Sequence, residues 1–408
     1  VRSRITPLAL AGILTLILAA CSGTPATAPG TDTATAPTGA GHGAVTGAVE
    51  LAEPRLGLTT IDQTGAVSHL DLLDESVSDL GTVGEPTAMT TDGRYLFAQT
   101  ASGVEIIDSG VWTWDHVDHF HYYRADPRLL GTVTGAGAAT IATTNLSTTG
   151  STGLFFAESG EAVLLNTEAL SKGEITERFR LTLAPGAGLV VPVGSFALVA
   201  DGAAASVAGY TADGTPTGLD EPCVAPAGTI TTRVRAVIGC ADGALLASVK
   251  DDELTVERIP YPADVSVPAA TAFHNREGRP TVAALAGTEG IWLLDTRARS
   301  WTLLPAPAPL VQVTAVDDAD QHLLALTADG RLLVLNGADG STIAETAPLV
   351  ADSLAAGDTP VLLADQQRAY LSAPTERRLY EIDFADGARL ARSFDTTTEP
   401  AFVAETGR

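Results

Sequence analysis

The chain has 408 residues, with 24 Lys+Arg against 49 Asp+Glu and a formal net charge of −25. A balance this acidic argues against nucleic acid as a partner, because phosphate contacts need clustered Lys and Arg. It also argues against adsorption of the protein surface itself to anionic lipid. The length suits one large domain or two ordinary ones.

Taken in chain order, residues 1–20 read as a secretory signal. Arg2 and Arg4 form a short positive start, and residues 7–20 carry no charge and are mostly Leu, Ile and Ala. That run is too short for a spanning helix, which needs about 20 apolar residues. It ends in Leu18-Ala19-Ala20-Cys21, which resembles the lipobox of bacterial lipoproteins. The expectation is lipidation at Cys21 and a mature protein on the outer face of the cytoplasmic membrane, held there by the acyl chains. Residues 21–50 are then the lipidated Cys and a tether of Thr, Pro, Ala and Gly, with too little apolar surface to offset the entropy of ordering.

From residue 51 to 408 no long helical period stands out. Short Val/Leu/Ile/Ala runs alternate with turn residues, and Asp-Gly recurs at Asp92-Gly93, Asp201-Gly202, Asp213-Gly214, Asp242-Gly243, Asp329-Gly330, Asp339-Gly340 and Asp386-Gly387. Asp-Gly between apolar runs is a hairpin signal, since Gly accepts the positive φ of the turn. Stretches such as TTDGRYLFAQTASGVEIID and ALTADGRLLVLNGADGSTIAE repeat one order of events at intervals of about 40–50 residues, as a propeller of four-stranded blades requires. The prediction is an all-β fold. Its single β-propeller would have blades starting near Glu85, Ala138, Gly186, Thr229, Pro268, Pro309 and Asp358. Residues 56–81 supply three more strands and residues 399–406 a lone one. Joining these two pieces closes the ring by pairing N- and C-terminal strands and makes eight blades; seven is the alternative count. Two stacked β-sandwiches are the alternative architecture.

Two cysteines remain, Cys223 and Cys240. In an exported protein a disulfide is the default, with two buried thiols as the alternative.

One stretch breaks the rhythm. Residues 114–124 read WDHVDHFHYYR and bring together three of the seven histidines, His116, His119 and His121. Imidazole suits Zn²⁺, with carboxylate as a further ligand or as the acceptor behind a ligand histidine. In an extended piece His119 and His121 project to one side. Asp118 is a candidate ligand, and Asp115 a candidate to hold the far nitrogen of a ligand ring. A donor set without thiolate also suits Cu²⁺ or Ni²⁺. His274, in AFHN at the start of a blade, is the first candidate for a ligand from elsewhere. His69 and His322 read as hydrogen-bonded structural histidines, and His42 belongs to the tether. The other reading of the whole stretch is an aromatic plug whose histidines serve only as hydrogen-bond partners.

WDHVDHFHYYR, within a predicted propeller that has a Cys pair in a later blade and a terminal ETGR, resembles the AztD zinc metallochaperones. That resemblance implies an exported propeller that accompanies a zinc ABC importer and hands Zn²⁺ to its solute-binding protein. It carries the metal-site role onto His116, His119 and His121, with Asp118 among them. The lipid anchor and the short, His-poor tether depart from soluble periplasmic members. The expectation is therefore a monomeric zinc carrier and not an enzyme: neither G-x-S-x-G nor H-E-x-x-H occurs. The alternatives are a non-metal interaction scaffold of the cell envelope and a metal-dependent propeller hydrolase.

Overall fold

Turn chemistry repeats with the strands it joins. In Thr211-Ala212-Asp213-Gly214 and Thr327-Ala328-Asp329-Gly330 the Thr hydroxyl bonds the Asp carboxylate two residues on, and the Gly N–H returns 3.0 Å to the Thr carbonyl. Gly214 and Gly330 sit at φ 84° and 87°, where a Cβ is strained. The computed structural model describes residues 43–115, 118–263, 265–288 and 290–407, all within one compact unit, Gly39–Arg408. Residues 1–42, with the expected signal, Cys21 and most of the tether, lie outside the described residues, as does His116.

The regular structure of the described residues is almost wholly β. Two short helices occur among them, Thr167–Ser171 and Ala351–Ala356, and no helix among them is long and apolar enough to cross a membrane. Eight antiparallel sheets follow one another along the chain. The first joins Gly57–Ile61, Ala66–Asp71 and Val77–Thr82 to the C-terminal strand Phe402–Thr406, which pairs with Gly57–Ile61 from Gly57↔Thr406 to Ile61↔Phe402. The second to fifth sheets begin at Ala88–Thr91, Ala139–Ala142, Gly188–Val193 and Thr229–Thr231, and each has four strands. The seventh and eighth, also four-stranded, begin at Leu310–Ala315 and Leu362–Ala364. These starts fall within a few residues of those expected from the sequence.

The sixth sheet has three strands, Thr281–Leu285, Gly290–Asp295 and Ser300–Pro305. Its innermost position, expected near Pro268, is reduced to a single bridge, His274↔Ala283. The next residue bridges the seventh sheet instead, Asn275↔Ala315, and the Arg276 N–H donates to the Ala315 carbonyl at 2.7 Å. The chain is drawn off to its neighbour before a ladder can form.

Central strands are buried on both faces, and their period of two feeds two interfaces at once. In Ser151–Phe156, Leu154 and Phe156 pack with the second sheet while Phe155 packs with the fourth. Eight apolar clusters result, each shared mainly by two sheets. Seven lie between sheets consecutive in sequence. The eighth joins Tyr370, Leu379 and Phe394 of the last sheet to Leu58 and Leu70 of the first. Repeated four-stranded antiparallel sheets packed in this order are consistent with a β-propeller.

Where first strands diverge too far to share a ladder, side chains satisfy their backbone. The Gln312 amide donates to the Leu362 carbonyl and accepts from the Leu362 N–H, both at 3.0 Å. Gln99, on the second strand of its sheet, Tyr95–Thr100, does the same for Ala139. A primary amide offers a donor and an acceptor side by side, so it substitutes for a strand's peptide group.

Cys223 and Cys240 are joined by a disulfide, with Cα atoms 5.3 Å apart. The bridge lies in the cluster between the fourth and fifth sheets. Closing a loop of this length should stabilise the fold by about 3 kcal/mol in the chain-entropy model. The Cys223→Ala, Cys240→Ala variant is expected to lose about that much stability in chemical denaturation, with its sheet content by circular dichroism unchanged.

Candidate metal centre

The stretch that broke the repeat forms a ninth sheet. Val111–Asp115 and Phe120–Arg124 make a hairpin, and Val49–Leu51 adds to the second arm as an edge strand. Aromatic and β-branched residues favour these strands. The register runs from Val111↔Arg124 to Asp115↔Phe120, so the connection is residues 116–119.

The hairpin rests on a buried charge. Arg94 lies fully buried, its Nε and Nη2 each 2.9 Å from an oxygen of Asp108. Burial opposes the guanidinium charge, but the Asp108 carboxylate outweighs it and holds the pKa above the ordinary arginine value. The Trp112 ring lies over the guanidinium, with 3.7 Å between its centroid and Cζ, and Tyr123 stacks on Trp112 at 5.4 Å. The Arg94 Nη1 atom has no hydrogen-bond partner among the described residues; the indole face is its compensation. On the other arm edge, the Thr113 hydroxyl donates to the Gly407 carbonyl at 2.7 Å. Gly407 is at φ 102°, and a Cβ there would meet the Arg55 carbonyl oxygen at 2.1 Å.

Strand alternation gives the hairpin two working faces. Thr113, Asp115, Phe120 and Tyr122 line a cavity of about 700 Å³, with Arg233 and Leu146 among its other walls. Asp115 Oδ2 is 3.8 Å from Arg233 Nη2 on this side. The opposite face carries Trp112, Tyr123 and His121, with Glu50 brought alongside by the pairing Glu50↔Tyr123. Trp114 touches both, bordering the cavity and lying 5.9 Å from the His121 ring.

On that second face four side chains form one line. Asp118 Oδ1 is 2.8 Å from His119 Nδ1, His119 Nε2 is 2.9 Å from His121 Nε2, and His121 Nδ1 is 2.6 Å from Glu50 Oε1. A carboxylate can only accept, so each Nδ1 is the natural donor to its carboxylate. Both Nε2 lone pairs then point at one another. A metal ion placed between them would take both lone pairs. Two imidazoles on a tetrahedral Zn²⁺ stand about 3.3 Å apart at the usual Zn–N length, so an opening of a few tenths of an ångström admits the ion. The exposure falls from 77% at Asp118 and 52% at His119 to 19% at His121, so the pair is open to solvent from one end.

His119 and His121 are thus brought together by the fold. Asp118 lies behind His119, in the position expected of Asp115, while Asp115 faces the cavity. Glu50, which fell in the stretch read as tether, completes the line. His274 does not join it by any hydrogen bond. It lines a separate central cavity of about 430 Å³ with Thr90, Asp92, Thr231 and Glu405, and burial lowers its pKa, leaving a neutral ring. His69 Nδ1 is 2.9 Å from the Thr59 hydroxyl, a structural bond.

Sequence reasoning passed over one other group. Asp318, Asp320 and His322 offer ligand atoms all within 4.8 Å of one another and could hold a cation. Both Asp318 oxygens are already engaged by His322, at 2.9 Å to its N–H and 2.6 Å to Nδ1. Burial raises the Asp318 pKa, but these contacts prevail and lower it. The group locks the turn between two strands of the seventh sheet. Its signal is the i, i+2, i+4 spacing in DADQH.

These features define the class: an all-β protein of repeated four-stranded sheets, consistent with a propeller, with an added hairpin whose outer face carries a carboxylate-backed histidine pair. No protein-family model matches the chain, and neither does any curated protein. Its fold is similar to that of AztD from Citrobacter koseri, with a TM-score of 0.72 and 20% identity over 87% of this chain and 98% of that one. The apo AztD structure from the same organism gives the same values. Dihydro-heme d1 dehydrogenase NirN in complex with DHE is less similar, with a TM-score of 0.54 and 14% identity over 88% of this chain and 76% of that one.

Two expectations follow. Asp108→Ala leaves Arg94 buried without its counter-charge and should cost about 3–5 kcal/mol in chemical denaturation. In the central cavity, burial pushes the Asp92 carboxyl up to about 7, against the pull of the Tyr95 and Arg94 N–H groups it accepts from. A native carboxyl that keeps its proton to about 7 binds more protons than the unfolded chain, whose carboxyl ionises near ~3.9. Its contribution to stability therefore falls as pH rises from about 4 to about 7. Asp92→Asn should flatten this slope in melting curves taken across that window.

Proposed function

We propose that this protein is an extracytoplasmic zinc carrier, a closed eight-bladed propeller held by lipid on Cys21. It takes Zn²⁺ on the His119–His121 pair and transfers it to the solute-binding protein of a zinc ABC importer. The observation that carries the reading is the pair itself: two imidazole Nε2 atoms 2.9 Å apart, each ring backed by a carboxylate on Nδ1. Backing of this kind fixes the tautomer and raises the basicity of a ligand histidine. Nitrogen donors without thiolate suit Zn²⁺. The fold likeness to AztD of Citrobacter koseri supports the same reading.

A carrier differs from a structural zinc site in leaving positions open. Two protein ligands leave two of four places for water, for His116 or for a group from the receiving protein. An incoming ligand can then bind before an outgoing one leaves, so the ion need never be free in solution. The exposed His119 end is where such a group would enter. A monomer on a tether at the outer face of the cytoplasmic membrane would meet a membrane-bound importer at raised effective concentration.

Protein purified without chelator is expected to retain one Zn²⁺ per chain by metal analysis. The His119→Ala, His121→Ala variant is expected to retain none while melting at the wild-type temperature. Equal zinc content in the two proteins would contradict the assignment. Mixing the loaded wild-type protein with an apo solute-binding protein, in the presence of a chelator fast enough to capture any released Zn²⁺, should still move the metal between them.

A further inference from the structure

Glu50 differs from the other members of the line. Asp118, His119 and His121 are contiguous with the hairpin, whereas Glu50 stands 71 residues earlier than His121 in sequence. It reaches His121 because Val49–Leu51 is docked as an edge strand on Phe120–Arg124, through Val49↔Arg124, Glu50↔Tyr123 and Leu51↔Tyr122. An edge strand of three residues is a weak element. Val49 is 45% exposed and enters none of the eight apolar clusters, and neither does Leu51. Just upstream the chain is held to the same hairpin face, where the Trp112 Nε1–H donates to the Gly43 carbonyl at 3.1 Å. Gly43 packs so closely on Trp114 that a Cβ there would meet the ring at 2.4 Å. Trp114 in turn lies beside His121. These fastenings are to the hairpin that carries the histidine pair.

Resting on the zinc reading above, we propose that the Val49–Leu51 strand is a working part of the metal site. Glu50 is a positioning residue that holds His121 with Nε2 turned towards His119, and docking of the strand and occupancy of the site are thermodynamically linked. An ion between the two Nε2 atoms strengthens the Nδ1–H···Oε1 bond, because a metallated imidazole is a stronger donor. The strand is then held more firmly. Conversely, peeling the strand away removes the carboxylate and weakens His121 as a ligand. Linkage requires the two effects to be equal. A receiving protein that pairs with the Phe120–Arg124 edge in place of Val49–Leu51 would loosen the metal in the act of binding, by strand addition to an exposed edge.

The test uses the full mature chain and Zn²⁺ alone. Glu50→Ala is expected to lower zinc affinity about 10- to 100-fold, the usual effect of removing a carboxylate behind a ligand histidine. Glu50→Gln, which keeps an acceptor without the charge, should recover part of the loss. With Co²⁺ as a probe, Glu50→Gln should keep the wild-type visible band positions, as a positioning residue allows and a lost ligand does not. The Val49→Pro, Leu51→Pro variant, which breaks the ladder but leaves Glu50 in the chain, should lose as much affinity as Glu50→Ala. Combining the two should add nothing further. In the wild type, zinc should slow amide exchange at residues 49–51 by a comparable factor. If wild-type protein binds no zinc, the metal reading falls and this proposal with it. Wild-type binding together with unchanged affinity in Glu50→Ala, or unchanged exchange at residues 49–51, overturns this proposal alone.

Discussion

A buried guanidinium sets the position of the hairpin. Arg94 is held in a bidentate bond by Asp108, and the flat face of the guanidinium left over becomes the seat of Trp112. Lysine could not take this role, because a point charge offers neither the fork for Asp108 nor a plane for the indole. Trp112 carries Tyr123 by stacking, and Tyr123 lies 6.2 Å from His121 and nearly parallel to it. A stack of four groups thus runs from the interior of the second sheet to the surface that carries the histidine pair. The ion pair is costly to bury and adds little net stability of itself. Its value lies in fixing where the hairpin stands.

Strand alternation then divides the hairpin between two tasks. Phe120 and Tyr122 wall the cavity over the sheets, while His119 and His121, one residue out of step, face the other way. A slip of one residue in the register would send the histidines into the cavity and the aromatics to solvent. Two cross-strand ring contacts on the histidine side, Trp112 with Tyr123 and Trp114 with His121, guard against this. Because Trp114 touches both faces, a group entering the cavity and an ion on the pair would share a wall.

Much of the fold could be read from the chain because the blade rhythm is written in local chemistry. Asp-Gly turns, alternation and strand lengths all belong to residues near one another, so the strand starts and the return of residues 399–406 to residues 57–61 were accessible. So was the bridge between Cys223 and Cys240, seventeen residues apart. The shared side of His119 and His121 follows from the period of a strand. The carboxylates were harder. Asp115 and Asp118 are both beside the histidines in sequence, and only the register, Asp115↔Phe120, assigns one to the cavity and the other to His119. Glu50 could not be found at all by local reasoning, since it follows a long run of Thr, Pro, Ala and Gly and its partner is remote. His274 stood out for its blade-start position, and that position is also what puts it in the central cavity rather than on the hairpin.

In the proposed carrier, zinc is held by ring nitrogens on the hairpin's outer face. X-ray absorption at the zinc edge, on protein loaded with one equivalent, addresses it directly. The expected result is a first shell of nitrogen and oxygen at about 2.0–2.1 Å, with the outer-shell multiple scattering of at least two imidazoles and no sulfur. That imidazole signature should vanish when His119 and His121 are both replaced. A zinc shell unchanged by that replacement, or one without imidazole in the wild type, would contradict it.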